Sequence, residues 1–170
     1  MKNCKVKKIT FYGMMTALAL AFSYLESFIP VNALVPVPGV KLGFANIVVV
    51  FALYTMKPLD AIAVGMLRVF LSGLLFGNPM TIVYSLVGCL LSWLVMTLTK
   101  NTKLSVVGVS MLGGIMHNVG QLAVAAFLTN TLRIAYYLPV LLISGTVTGF
   151  VMGYASKLVI DRINKIRKAK

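Results

Sequence analysis

The stretch Met80–Thr99, MTIVYSLVGCLLSWLVMTLT, decides the fold class, because it runs through 20 positions without a charged side chain. At about 1.5 Å per residue a helix of that length covers about 30 Å, the thickness of a bilayer's hydrocarbon core. Hiding it inside a soluble domain would take a polar shell that this chain lacks. Of its 170 residues, 59% are hydrophobic and 11% charged, against roughly 25% charged in ordinary soluble domains.

Outward from this run, further apolar segments lie at about 9–29, 42–56, 59–76, 104–128 and 134–160. The breaks between them carry helix-stopping residues: Pro30, Pro36, Pro38 and Gly39 after the first, Lys57-Pro58 after the second, Gly77-Asn78-Pro79 after the third. The expectation is an all-α polytopic membrane protein, one transmembrane domain over 1–170 with six transmembrane helices. The 42–56 segment is the shortest, and its 15 residues cover only about 22 Å. The lysines ahead of the first segment imitate a secretory signal, but the apolar run is too long for one and no small-residue cleavage site follows, so it is expected to remain as a helix.

The net charge of +13 is a topological signal. With six spans and the N-terminus inside, Lys2, Lys5, Lys7, Lys8, Lys57, Lys100, Lys103 and six basic residues from Lys157 onward share one side. The other side holds Lys41 and Arg133. Positive charge collects on cytoplasmic loops, so both termini are expected in the cytoplasm of a multi-pass protein of the cell membrane. Basic residues flanking apolar runs do not form a nucleic-acid-binding face, and no nucleic acid is expected as a partner. Cys4 and Cys89 offer neither disulfide nor metal spacing, and no cofactor motif stands out.

Small residues recur four apart: Gly13, Ala17 and Ala21 on the first segment, Gly73 and Gly77 on the third, Gly145, Gly149 and Gly153 on the sixth. Such stripes let a neighbouring backbone approach closely. On the third and sixth helices internal packing is the simpler reading. On the first, contact with a separate membrane partner is equally open.

Polar residues inside these segments are the candidates for function. Arg68 falls near the middle of the third, where a charged side chain costs at least about 2.5–3.5 kcal/mol. Either a structural ion pair, with Glu26 as a shallow partner, or a ligand cavity accounts for it. His117 and Gln121 are four apart on one helix face with Asn118 beside them; a hydrogen-bonding strut or a binding site fits. Lys41, Asn46 and Asn78 add polar groups on the outer half. Together with Arg133 and Glu26 they suggest an outward pocket for a small polar or anionic ligand. The apolar Pro30–Gly39 connection suits a lid or a rigid connector.

Three segments in order, Pro38-Gly-Val-Lys-Leu-Gly-Phe-Ala-Asn46, then Arg68 with Ser72-Gly-Leu-Leu-Phe-Gly-Asn78, then Gly113-Gly-Ile-Met-His-Asn-Val-Gly-Gln121, carry a resemblance that covers most of the chain. The sequence resembles a bacterial membrane family labelled Gx transporter or heptaprenyl diphosphate synthase component I, which is similar to the S components of energy-coupling-factor (ECF) transporters. The resemblance implies an S-component-like bundle and a ligand site near the outer surface. It also implies small residues on the first helix, here Ala17 and Ala21, against a coupling subunit that works with ATPases.

Chain-elongating prenyl synthases hold magnesium with clustered aspartates. The three acids here, Glu26, Asp60 and Asp161, are far apart in sequence, so the chain is not expected to be an enzyme by itself. It has no P-loop, so ATP-driven work would fall to a partner. Three roles follow as expectations: a substrate-binding subunit for a vitamin-like or isoprenoid- or quinone-related compound, a non-catalytic accessory of a prenyl synthase subunit in heptaprenyl diphosphate and menaquinone synthesis, or a scaffold in an extracellular electron-transfer assembly. The chain shows no haem, iron–sulfur or flavin-attachment pattern of its own.

Overall fold

The computed structural model describes residues 2–29 and 43–168. They form α1 (Lys2–Ser27), α2 (Asn46–Thr55), α3 (Pro58–Phe76), α4 (Pro79–Thr99), α5 (Val106–Thr129) and α6 (Leu138–Lys168), with a 3-10 helix at Leu132–Tyr137 before α6. Pro58 and Pro79 open α3 and α4, where a missing N–H costs nothing. Asn78 and Ser105 cap α4 and α5 through their side-chain oxygens, and Asn130 closes α5 in the left-handed region at φ 48°. The sixth segment begins as 3-10 helix and becomes α-helix only at Leu138, then runs on through the basic tail.

Among the described residues five helices are long and apolar enough to cross a membrane. The exception is α2, whose 10 residues cover about 15 Å. Contacts nonetheless fix the chain's path around it. Lys8 Nζ lies 3.3 Å from Asp60 Oδ2 at the start of α1 and α3, and the Tyr24 and Phe76 rings are 5.0 Å apart at their ends. The two helices therefore run in the same direction. The chain between them must return across the bundle, and α2 covers part of that path. Six full-length spans are not confirmed: among the described residues five helices have the length, and α2 is a buried half-length helix.

Since α2 cannot reach through the bundle, it is held from the sides. Val48, Val49, Val50, Ala52 and Leu53 are buried. Lys100 Nζ donates to Leu53 O at 3.3 Å, placing a cation at the carbonyl end of the helix. Ser156 Oγ donates to Ile47 O at 3.1 Å.

The most extensive packing joins α5 to α4 and to α6. A Cβ added at Gly145 would come within 2.7 Å of Gly114 O, and one at Gly149 within 2.6 Å of Met111 Cα. The glycines of α6 thus serve internal packing, with backbone against backbone. Gly73 likewise receives Ile82 of α4. On α1, Gly13, Ala17 and Ala21 are exposed, and nothing lies within 4 Å of a Cβ at Gly13.

Candidate functional site

Five helices turn polar side chains into the same interior. On α5, Gly120 packs against Gly88 of α4, with 3.0 Å from its added Cβ to Gly88 Cα. The absence of a side chain at Gly88 leaves room for an imidazole above it. His117 occupies that room: a Cβ at Gly88 would lie 2.8 Å from His117 O and 2.9 Å from Nδ1. On its other flank the ring meets Gly43, whose Cβ would be 3.2 Å from His117 Cδ2 and 3.8 Å from Asn46 Nδ2. Gly43 has φ +89°, a conformation that costs other residues roughly 1–2 kcal/mol. The histidine is thus clasped between two glycines.

Hydrogen bonds extend this cluster. His117 Nε2 and Gln121 Nε2 are 3.0 Å apart; with the amide as donor, the neutral imidazole carries its proton on Nδ1. Asn46 Nδ2 donates to Ser92 Oγ at 3.2 Å, and Gly43 N donates to Glu26 Oε1. Glu26 is 2% exposed, and Gln121 and Asn118 are fully buried. Asn118 turns toward α6, where Nδ2 donates to Leu141 O at 2.8 Å.

Arg68, 1% exposed, faces α1 and α4. Its Nη1 is 3.5 Å from Ser23 Oγ, and the guanidinium lies near enough to the Cys89 thiol to act on it electrostatically. Ser23 precedes Glu26 by one helical turn, and Cys89 follows Gly88 directly, so the arginine neighbours the histidine cluster through α1 and α4. A Lys8–Asp60 ion pair lies away from this cluster, near the start of α1 and α3. Nε and Nη2 of Arg68, Oδ1 of Asn46 and Oδ1 of Asn118 are buried without hydrogen-bond partners among the described residues.

Asn46, Arg68, His117, Asn118 and Gln121, expected from the sequence as ligand-binding, are all interior. His117 and Asn46 both lie against Gly43, and Gln121 joins them through His117. Asn78 stands apart, exposed, with Oδ1 accepting from Thr81 N at 2.9 Å, which is a capping role. Lys41 and the Pro30–Gly39 connection lie outside the described residues. Ser23, Gly43, Gly88 and Ser92 belong to the cluster and carry no pattern that marks them in the sequence. Among the described residues no group of three or more His, Cys, Asp or Glu could hold a metal.

Fold and site together define a class: a helical bundle of multi-pass membrane type with a hydrogen-bonded polar core. More particularly, the chain belongs to the heptaprenyl diphosphate synthase component I family, whose profile matches residues 15–159, from α1 into α6. Neither a curated protein nor a solved structure matches it.

Proposed function

We propose that this protein is a membrane-embedded binding subunit that captures a small polar or anionic molecule and passes it to partner proteins for transport. The observation behind this reading is the interior arginine with two nitrogens that have no hydrogen-bond partner among the described residues. A purely structural arginine in an apolar bundle would be expected to have its donors matched, because an uncompensated buried charge is strongly destabilising. The adjoining His117, Gln121 and Asn46 supply the mixed donors and acceptors that orient a ligand. The chain is not itself catalytic in this reading, and energy would come from coupling and ATPase subunits.

The test is protein in nanodiscs mixed with a fractionated bacterial metabolite extract. One fraction should raise the unfolding temperature of the wild type and leave His117→Ala unmoved. Equal shifts in both would remove His117 from the site, and no active fraction would remove the capture role.

The family description favours a second reading, a membrane accessory to the synthesis of heptaprenyl diphosphate beside a soluble synthase subunit. Affinity purification from membranes separates the two. Coupling and ATPase subunits would support transport, whereas a prenyl synthase would support the accessory role.

A further inference from the structure

We infer that the captured molecule carries a two-oxygen anion, a carboxylate or phosphate group, held by the side-on edge of Arg68. This deepens the capture reading and rests on it. Ser23 takes Nη1, and the two nitrogens left without partners among the described residues are Nε and Nη2. That pair is chemically specific. The Nε–H and the neighbouring Nη2–H point the same way along one edge of the planar guanidinium, and that edge grips two oxygens of a carboxylate or phosphate at once.

With Nη1 toward Ser23 and the Nε/Nη2 edge without a hydrogen-bond partner among the described residues, the guanidinium has the arrangement of an anion receptor whose side chain is positioned before its partner arrives. On α1, Glu26 accepts from Gly43 N through Oε1. Asn46 Oδ1, buried and also without a hydrogen-bond partner among the described residues, is an acceptor beside His117. The body of the ligand therefore needs a hydroxyl or amine donor in addition to its anionic end. A lysine at position 68 would keep the charge and lose the fork.

The experiment is thermal unfolding of the full chain in nanodiscs of zwitterionic lipid, titrated with inorganic pyrophosphate, with succinate, and with glycerol as the neutral control. At least one oxyanion should stabilise the wild type saturably while glycerol does not. Arg68→Lys should need roughly tenfold more of it, the equivalent of one charge-assisted hydrogen bond, and Arg68→Met should not respond. A response to pyrophosphate alone assigns a phosphate end, and one to succinate alone a carboxylate end. Should Arg68→Met fail to fold, the lysine variant carries the comparison. The inference is overturned if neither oxyanion stabilises the wild type, or if the folded variants respond as the wild type does. A neutral molecule captured from the extract in a His117-dependent way would overturn it while leaving the capture role standing.

Discussion

At the scale of single residues, His117 is set by what its neighbours lack. Gly43 and Gly88 hold its ring from two sides, and a methyl group on either enters its space. Gly88→Ala places a Cβ 2.8 Å from a backbone oxygen and 2.9 Å from Nδ1, so α5 or the ring must move. Overpacking of this kind costs roughly 1–3 kcal/mol. The variant is expected to unfold earlier in urea-titrated detergent and to lose the stabilisation given by the active extract fraction; unchanged behaviour in both would contradict the clasp. The histidine and glutamine were legible as a pair from their spacing, and Arg68 from its charge in an apolar run. Gly43, Gly88, Ser23 and Ser92 were not, because a lone small residue in an apolar helix gives no sign of which neighbour it meets. Asn78 carried a readable signal of its other role, an asparagine directly before a proline at a helix start.

Among the elements, two helices with small-residue stripes behave oppositely. The α6 glycines are filled by the backbone of α5, whereas Gly13 on α1 faces open space. Gly145→Ala, with a Cβ 2.7 Å from Gly114 O, is expected to lose roughly 1–3 kcal/mol. Gly13→Leu should stay within about 0.5 kcal/mol of the wild type. Equal destabilisation, measured by thermal unfolding, would mean that α1 packs in a way the bundle does not show. Spacing alone could not separate these cases, since a stripe marks a close approach and not its partner. The lengths of α3, α4 and α5 followed from apolar runs, bounded by Pro58 and Gly77 for α3, by Pro79 and Lys100 for α4, and by the polar Ser105 and Asn130 for α5. The brevity of α2 showed in its sequence too, but its buried placement depends on Lys100 and Ser156 reaching its carbonyls from distant helices.

For the whole molecule, a dry helical shell surrounds an interior that contains an arginine, a histidine, a glutamate and a glutamine, each at most 2% exposed. Membrane bundles bear such a core at a cost, and the proposed binding role is a use that would offset it. The charges on the surface fit the same organisation. Lys57, Lys100, Lys103 and the basic end of α6 lie at the end of the bundle where α1 and α3 begin, opposite the end where Glu26 and Tyr24 lie. The most direct measurement of the central claim is native mass spectrometry of protein gently extracted from its own membranes, comparing the wild type with the Arg68→Met/His117→Ala double variant. The wild type should carry a small molecule as a discrete added mass, absent from the double variant. The same added mass on both proteins, or none on either, would contradict a binding role for the buried polar core.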